Sequence, residues 1–357
     1  MLRSEIDWYT IDSPRRTKHM PKDPHFTVIL PVCHSGQFLQ EALRSLKELD
    51  FPGEGFEVLV GGNRDDEESQ RIVAEEAGYA AVSIRYVPSP FEHKAALLNA
   101  ACREARGQYW IFTDDDCRFF PDWLERYEEA LVVDPLTGMV GGPDVLEEGA
   151  SGFDRALDYV LHSPLVRGKL SLLPRSRLVK YYPKLFNMGI SRRVALDISR
   201  SRKREAARSG GTETLCVFDD TLKVHEDVDL GNRIEKSGCK LVFAESVCVK
   251  HFRDTDWHSL LIRNFQLGRA CRILGVHRLA QTLLALLLLG MGSSLAAALV
   301  FGALGGAVFV IPGAYAVMLA LSAVHGSLKT HSLGGLLRIP CLLAGLHFSR
   351  GIGYLLP

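Results

Sequence analysis

Short apolar runs alternate with amphipathic segments over the first third of the chain. Apolar runs rich in β-branched and aromatic residues are typical of buried strands, and apolar residues three and four positions apart are typical of helices. The pattern predicts strands at 26–30, 56–60, 83–87 and 108–113, and helices at 38–46, 67–77 and 94–106. Strands that alternate with helices of this length favour right-handed βαβ units and a parallel sheet.

The pattern becomes mixed after residue 139. It predicts a strand at 139–143 and one or two strands within 240–249. Residues 197–208, which lie between them, are polar and basic. That composition is typical of a solvated loop, and a surface that grips an anionic acceptor is the alternative interpretation.

A long uncharged segment follows the globular region. Residues 279–324 contain no charged side chain, and Gln281 is their only strongly polar residue. A helix that crosses a bilayer needs ~20 apolar residues, which 279–300 and 304–324 each supply. The flanks are basic, with Arg263, Arg269, Arg272 and Arg278 before the segment and Lys329 and Arg338 after it. The positive-inside rule then predicts a hairpin with both flanks in the cytoplasm; a buried helical hairpin in a soluble protein is the alternative.

A third apolar stretch, 333–357, contains Arg338, His347 and Arg350. We interpret it as an in-plane or re-entrant segment rather than a third span. The predicted organisation is a polar lead-in at 1–24, a catalytic domain at 25–254, an amphipathic interfacial helix at 255–278 and a membrane segment at 279–357.

Composition narrows the function classes. Lys and Arg equal Asp and Glu at 42 each, so no overall charge indicates a nucleic-acid partner. The eight cysteines form no C-x-x-C pair and show no zinc-site spacing, which is typical of reduced thiols. Residues 1–25 lack the apolar run of a secretory signal. We therefore expect the globular domain to stay in the cytoplasm.

Three adjacent carboxylates, Asp114, Asp115 and Asp116, follow the strand at 108–113. Adjacent carboxylates repel one another unless a cation neutralises them. Because side chains alternate along extended backbone, the first and third can face one pocket. Hard oxygen ligands of this kind suit Mg²⁺ or Mn²⁺ carried by a diphosphate. A solvated acidic turn or a helix cap is the alternative.

A second acidic cluster opens a predicted helix about 110 residues later. It comprises Glu226, Asp227 and Asp229, with His225 before it. Acidic residues are common at helix starts because of the helix dipole alone. Two such clusters at element ends in one α/β domain nevertheless favour a shared site.

The ordered motifs resemble those of the family 2 glycosyltransferases, in particular membrane-anchored bacterial members. The resemblance covers 26–250 and is carried by VILPV at 28–32, HKAALLNA at 93–100, GQYWIFTDDD at 107–116, FNMGISRR at 186–193, EDVDL at 226–230 and VKH at 249–251. RNFQLGR at 263–269 resembles the amphipathic helix that precedes the membrane segments of many members. The resemblance implies a GT-A-type, Rossmann-like mixed sheet flanked by helices and, here, followed by a transmembrane helical hairpin.

The residues and the resemblance together predict an inverting, metal-dependent transfer of a sugar from a nucleotide-diphosphate sugar to a hydroxyl acceptor. Asp227 is the predicted general base. The predicted metal ligands are Asp116, Asp114 and His251, for Mg²⁺ or Mn²⁺. The predicted donor contacts are Pro31, Val32, Asn63, Lys94, Asp114, Asp115, Gln266 and Arg269. Asn187 and Glu226 are placed on the acceptor side.

One departure from the family pattern concerns the nucleoside. Many members carry an acidic pair after the second strand, where this chain has Gly61, Gly62 and Asn63. Asn63 can still bond a base edge, so the identity of the base stays open. We expect a lipid-linked or glycan acceptor at the cytoplasmic face of the inner membrane, a multi-pass anchor and no nucleic acid. The alternatives are another metal-dependent nucleotide or phosphosugar transferase, or a non-catalytic membrane-bound nucleotide-sugar-binding protein.

Overall fold

The structure is a computed structural model that describes residues 23–32, 38–52, 55–78, 81–147, 149–162, 181–208, 215–222, 224–252, 256–275, 278–301 and 309–356. Most of the predicted lead-in, 1–24, and of the predicted connection between the two spans lies outside these residues. The strands are β1 (Phe26–Pro31), β2 (Phe56–Asn63), β3 (Ser83–Ser89), β4 (Tyr109–Thr113), β5 (Cys117–Phe119), β6 (Thr137–Gly141), β7 (Asp144–Val145), β8 (Asn187–Ser191), β9 (Lys240–Phe243) and β10 (Val249–His251).

The helices flank these strands and continue beyond them. They are α1 (Leu39–Lys47), α2 (Glu67–Ala77), α3 (Lys94–Glu104), α4 (Trp123–Val132), α5 (Gly152–His162), α6 (Arg192–Arg208), α7 (Glu226–Lys236), α8 (Trp257–Leu274), α9 (Arg278–Phe301), α10 (Val310–Lys329) and α11 (Gly335–Leu355).

Seven strands form the main sheet in the order β3-β2-β1-β4-β8-β6-β9. The four strands predicted from the first third of the chain are parallel neighbours. β8 runs antiparallel to both β4 and β6, and β9 is parallel to β6. The sheet is therefore mixed, and its parallel part brings the carboxyl ends of β1, β2 and β4 to one edge.

Alternate residues of β1 face opposite layers of the core. Val28 and Leu30 pack in a buried cluster with Leu43 of α1 and Trp123 of α4. Ile29 points the other way, into a cluster that includes Leu98 of α3. A strand buried on both faces reads as a continuous apolar run, which is why the sequence pattern located β1.

A small second sheet has the order β5-β10-β7. β10 is antiparallel to β5, where His251 pairs with Cys117, and parallel to β7, where Val249 pairs with Asp144. This sheet brings the end of the acidic triplet beside His251 and Asp144.

The basic segment 197–208, interpreted from sequence as a solvated loop, belongs to helix α6. Val194, Ala195 and Ile198 are buried and provide an apolar stripe at helical spacing. Arg, Lys and Ala also have high helix propensity, so a polar composition did not imply irregular structure here.

Helices α9 and α10 form an apolar hairpin after the α/β domain. Both are long and apolar enough to cross a membrane, yet only 11% and 22% of their most apolar windows are buried inside the protein. The described second helix begins at Val310, and the first part of the predicted span 304–324 lies outside the described residues. The described residues therefore leave most of the apolar surface of these two helices uncovered.

Helix α11 spans most of the third apolar stretch and joins the hairpin to the α/β domain. Leu342 and Leu343 of α11 pack with Leu157 and Val160 of α5 in one buried cluster. In addition, the Tyr159 hydroxyl lies 2.7 Å from Nδ1 of His325 on α10. The tail is therefore docked on the domain through α5.

Helices α8 and α11 meet backbone to backbone. A Cβ atom on Gly268 of α8 would lie 2.2 Å from the Arg350 carbonyl oxygen, and one on Gly353 of α11 would lie 2.1 Å from the Phe265 carbonyl oxygen. These positions accept only glycine without a shift of the helices.

Candidate active site

The carboxyl ends of β1 and β2 provide the first wall of the candidate site. Val32 is 2% exposed and its N–H donates to the Gly61 carbonyl at 2.8 Å, which ties the two strand ends together. Asn63 Oδ1 accepts from the N–H of Asp65 at 2.8 Å, while its Nδ2 donates to Glu92 at 3.2 Å. Pro31, Val32 and Asn63 thus lie at the edge where the predicted donor contacts belong, with Asn63 also shaping its own turn.

Lys94, the first residue of α3, neutralises the start of the acidic triplet. Its Nζ lies 2.6 Å from Oδ1 and 2.8 Å from Oδ2 of Asp114. Burial lowers the pKa of Lys94, but the charges of Asp114 and Glu226 outweigh burial and raise the pKa above its ordinary value. Lys94 is therefore a fixed cation between the two acidic clusters.

Asp116 faces the small sheet, where His251 stands between two carboxylates. His251 Nε2 lies 3.3 Å from Asp116 Oδ2, and its Nδ1 lies 3.3 Å from Asp144 Oδ2. Burial lowers the pKa of His251, but hydrogen bonds to Asp116 and Asp144 outweigh it and raise the pKa to about 9. Burial raises the pKa of Asp116, and the His251 hydrogen bond more than reverses this, so its net pKa is lowered.

The donor atoms of Asp116 and His251 fit a hard divalent cation once a bound cation displaces the proton that the raised pKa of His251 keeps on its ring at neutral pH. Their 3.3 Å separation is about the spacing of two adjacent ligands on one ion with bond lengths of ~2.1 Å. Cys117 Sγ lies in the same group, within 4.8 Å. However, burial and the charges of Asp116 and Asp114 raise the pKa of Cys117 well above its ordinary value, so its protonated thiol is a poor ligand for Mg²⁺ or Mn²⁺.

Asp144 continues the polar chain away from the candidate metal ligands. Its Oδ1 lies 3.1 Å from His162 Nε2, and His162 Nδ1 lies 3.0 Å from Asp158 Oδ1. Carboxylate and imidazole groups therefore alternate from Asp116 to Asp158. A carboxylate on the second ring nitrogen fixes the orientation of a ligand histidine, so Asp144 is placed to orient His251.

Asp115, the middle residue of the triplet, has a different environment from its neighbours. Burial raises its pKa to about 7, and the charges of Asp114 and Asp116 add to the rise. The charge of Asp115 is therefore held less firmly near neutral pH than that of Asp116, whose pKa is lowered.

The second acidic cluster presents Asp227 at the start of α7. Asp227 is 8% exposed; Lys184 Nζ donates to its Oδ2 at 3.1 Å, and the Val228 N–H donates to its Oδ1 at 2.8 Å. Burial raises the pKa of Asp227, but the charge of Lys184 and these hydrogen bonds outweigh burial, so its net pKa lies below the ordinary value. Burial raises the pKa of the adjacent Glu226.

Two residues link the two acidic clusters through their charges. Lys94, which holds Asp114, also lies within electrostatic range of Glu226. From the other side, Tyr181 lies close enough to both Asp227 and Asp144 for their charges to raise its pKa further, although burial is the largest cause of that rise. The arrangement is the one that a shared donor and acceptor site requires, and the individual roles stay predictions.

Asn187, predicted on the acceptor side, lies in the core. It is fully buried and donates from Nδ2 to the Val247 carbonyl at 2.9 Å. Its Oδ1 accepts from Trp123 Nε1 at 3.2 Å and from the Tyr127 hydroxyl at 2.8 Å. Both the oxygen and the nitrogen of the amide thus have partners in the core. The geometry favours a structural role and gives no support to an acceptor contact.

Gln266 and Arg269 of α8 are exposed. Arg263, which lies one to two turns earlier on the same helix and is exposed as well, is close enough to Lys94 for its charge to oppose the raised pKa of that lysine. Its charge therefore links Arg263 to the predicted diphosphate position.

Three of the residues named above, Asp144, Tyr181 and Lys184, carry no signal that singles them out in the sequence. Asp144 follows a Gly-Gly-Pro turn, and Tyr181 and Lys184 flank Tyr182 and Pro183 in a polar connection. Each is brought to the site by pairing or packing between distant segments. Arg263 lies in the RNFQLGR motif, so its position on α8 was the one local hint.

Comparison with known proteins identifies a domain in the first part of the chain. The sequence model described as Glycosyl transferase family 2 matches residues 27–195. Residues 27–195 are thus a glycosyltransferase family 2 domain. The matched residues span β1 to the start of α6, and so include the acidic triplet, Lys94 and Asp144.

The alignments with curated relatives cover only part of this chain. Poly(ribitol-phosphate) beta-N-acetylglucosaminyltransferase TarS of Staphylococcus aureus is 28% identical over 91 residues, which are 26% of this chain and 16% of TarS. Glycosyltransferase AglE of Haloferax volcanii is 26% identical over 104 residues, 29% of this chain and 34% of AglE. The match therefore spans about a third or less of each relative.

A solved structure confirms the GT-A-type fold. The mannosyltransferase PcManGT from Pyrobaculum calidifontis, in complex with GDP-Man and Mn²⁺, has a TM-score of 0.53 at 16% identity and covers 92% of this chain and 87% of that chain. Coverage of this extent reaches beyond the family domain into the C-terminal helices. The expected mixed α/β sheet with flanking helices and a terminal apolar hairpin is thus confirmed.

Proposed function

We propose that this family 2 domain transfers a sugar from a nucleotide-diphosphate sugar to an acceptor hydroxyl, with inversion and with a divalent cation. One arrangement supports the proposal: Asp144, which contacts His251, and Asp227, which pairs with Lys184, both lie within electrostatic range of Tyr181. Asp116 and His251 offer ligand atoms for a cation, and Asp227 offers an ionised carboxylate. A sugar carbon between them would have a stabilised leaving group on one side and a proton acceptor on the other.

Asp116 and His251 would hold the cation, and Asp144 would orient His251. When bound, a divalent cation neutralises the charge that develops on the departing diphosphate. Lys94 adds a fixed positive charge beside Asp114, and Arg263 adds a guanidinium that can bond phosphate oxygens in pairs. The presence of Mn²⁺ and GDP-Man in the PcManGT structure supports this assignment.

Asp227 would remove the acceptor proton. Its lowered pKa keeps it ionised at neutral pH, so the base is in the required form before the acceptor binds. A weak base suffices if the proton leaves late in the displacement. Direct attack by the acceptor on the face opposite the diphosphate inverts the anomeric centre. Glu226, whose pKa is raised by burial, is placed between Lys94 and Asp227 to orient the acceptor side.

The donor nucleoside would bind at the ends of β1 and β2, against Pro31, Val32 and Asn63. Asp114 and Asp115 would line the path to the diphosphate. Gln266 and Arg269 are exposed on α8, and their contact with the donor diphosphate remains a prediction.

The catalytic domain would work at the cytoplasmic face of the inner membrane. The apolar helices α9 and α10 would be the spans, α8 the interfacial helix, and α11 a helix that joins the spans to the domain. An active site next to a bilayer favours an acceptor that resides there, such as a lipid-linked glycan.

A donor panel tests this function. The full chain, purified in detergent, would be incubated with Mn²⁺ and UDP-, GDP- or TDP-sugars, and release of nucleoside diphosphate would be measured with and without chelator. We expect one donor class to be turned over and chelation to stop the release. Consumption of nucleoside triphosphates with pyrophosphate release would instead indicate a nucleotidyltransferase, and protection from heat by a donor without turnover would indicate a binding protein.

A further inference from the structure

A group of cations lies beside Asp227, where the membrane-side helices meet the catalytic domain. Lys184 pairs with Asp227 at 3.1 Å. His225 Nε2 lies 3.3 Å from Cys271 Sγ of α8. Burial raises the pKa of Cys271, and Arg350 and Lys184 oppose the rise through their charges, Arg350 also through a hydrogen bond. His225 thus contacts the sulfur atom of Cys271, and Arg350 and Lys184 lie within electrostatic range of it.

Arg350 has no anionic partner among the described residues. Its Nε is buried without a hydrogen bond there, and no salt bridge within the described part of the chain reaches its guanidinium. Cys271 supplies only a weak sulfur contact. A partly buried guanidinium without a counter-charge is unfavourable unless a ligand supplies one.

The position of Arg350 adds to this argument. It lies in α11, within an apolar stretch that packs against α8 and the hairpin helices. Ionisable residues in such segments are costly and are most often retained for a site. The Arg350 carbonyl also abuts Gly268, which holds this part of α11 against α8 and towards the start of α7.

This group is separate from the proposed donor position. Arg263, the α8 residue near Lys94, and Cys271 are eight residues apart, which is about 12 Å along a helix axis. Lys184 contacts the proposed base directly, whereas Lys94 contacts the acidic triplet. The cations therefore lie on the acceptor side of the cleft, towards the tail.

We propose that Lys184 and Arg350 bind a phosphate group of a membrane-borne acceptor, next to the hydroxyl that Asp227 deprotonates. The proposal rests on the proposed function and defines the acceptor class as an anionic lipid or lipid-linked glycan. A phosphate supplies the missing counter-charge of Arg350 and shares Lys184 with Asp227. The apolar side chains of α9, α10 and α11 would pack against the lipid chain of the acceptor.

Binding of farnesyl phosphate to the full chain in non-ionic detergent tests the proposal. The shift of the thermal midpoint with ligand concentration gives the apparent affinity. Farnesol tests whether the lipid chain binds without a phosphate. Inorganic phosphate and glycerol 3-phosphate test whether a phosphate binds without the lipid chain. We expect saturable stabilisation by farnesyl phosphate only, and about tenfold weaker binding for Arg350→Gln and for Lys184→Gln, since each removes a charge-assisted hydrogen bond.

Arg338→Gln is the matched control, since Arg338 is an exposed arginine on the same helix. It should bind farnesyl phosphate as the wild type does, and Arg350→Lys should fall between wild type and Arg350→Gln. Binding of Mn²⁺ with UDP and with GDP shows that each variant is folded. Equal loss of nucleotide and farnesyl phosphate binding in Arg350→Gln would assign the cations to the donor, and unchanged farnesyl phosphate binding would refute the site.

Two further outcomes separate this inference from the proposed function. Farnesyl phosphate binding that depends on Arg350, in a protein that turns over no sugar donor, would retain the anion site and reject the transfer reaction. Donor turnover without any binding of farnesyl phosphate would retain the reaction and reject the anion site. Inorganic phosphate binding with the same dependence on Arg350 would reject the lipid as the source of the phosphate.

Discussion

The carboxylates of the acidic triplet and those at the start of α7 are paired with different kinds of side chain. Asp116 is bonded to His251, whose side chain is only 13% exposed and is fixed in turn by Asp144. Asp227 is bonded to Lys184, whose side chain is 47% exposed. The first arrangement is rigid and is built from groups that ligate metals; the second can open when another anion or a hydroxyl arrives.

The difference indicates how one cleft can serve two tasks. A cation position benefits from ligands whose orientation is set by surrounding hydrogen bonds. A proton acceptor must stay accessible to a substrate, so a displaceable partner is preferable to a buried one. Removal of one partner at a time should therefore affect metal binding in the first cluster and the pH profile in the second.

The largest effect is expected at the proposed base. Asp227→Asn removes the proton acceptor while it keeps the shape, so the rate of sugar transfer should fall by about 10²–10⁴-fold. Binding of the nucleoside diphosphate with Mn²⁺ should be unchanged, which calorimetry would show. A variant with wild-type transfer would rule out Asp227 as the base.

A smaller effect is expected for the residue that orients His251. Asp144→Asn should weaken Mn²⁺ binding by about 10–100-fold, measured by titration without donor, because the ring of His251 loses its fixed carboxylate partner. Asp122→Asn, which alters a surface pair with Arg126, is the matched control. Equal Mn²⁺ affinity in the Asp144 variant and the control would remove Asp144 from the metal site.

A third buried carboxylate, distant from the cleft, sharpens the comparison. Glu57 is 1% exposed and accepts hydrogen bonds from Thr27, Arg85 and Arg106. Burial raises the pKa of Glu57, but these bonds outweigh burial and lower it from 4.5. Glu57→Gln should reduce the free energy of unfolding by about 1–3 kcal/mol, as measured by denaturant titration, without a change in Mn²⁺ affinity.

The pH dependence of that loss has a definite sign. A carboxylate with a lowered pKa in the folded state contributes stability above its unfolded pKa, and this contribution is lost as the pH falls through the folded pKa. The difference between wild type and Glu57→Gln should thus be full at neutral pH and shrink in acid. Glu75→Gln, an exposed pair with Arg71, should change stability by less than about 0.5 kcal/mol at any pH.

The smallest effect is expected on the partner of the base. Lys184→Met removes the charge that lowers the pKa of Asp227, so that pKa should rise and the acid limb of kcat/KM should move to higher pH. Lys240→Met, which removes a surface pair with Asp134, should leave the profile unchanged. An unmoved acid limb in the Lys184 variant would separate Lys184 from the ionisation of Asp227.

Local signals accounted for much of the fold. Apolar runs such as 26–30 and 56–60 predicted β1 and β2, and the 67–77 pattern matches α2 in full. Helix α6 was missed because a high content of Arg and Ser concealed the stripe of Val194, Ala195 and Ile198. The antiparallel direction of β8 also has no local signature, since it depends on which strand β8 meets.

The candidate site was predictable where its residues end strands or begin helices. Asp116, His251 and Asp227 lie at such ends, and the sheet brings the first two together through the register of β10. Asp144, Lys184 and Arg350 come from segments that are far apart in sequence. Asn187 shows the reverse error, because a motif position was given a substrate role although its amide completes the core.

The contact between α8 and α11 depends on two glycines. At Gly268 and Gly353 the main chains of the two helices lie so close that a side chain on one helix would overlap the main chain of the other. A substitution at either position would therefore push apart the helix that bears Arg263 and the helix that packs against α5.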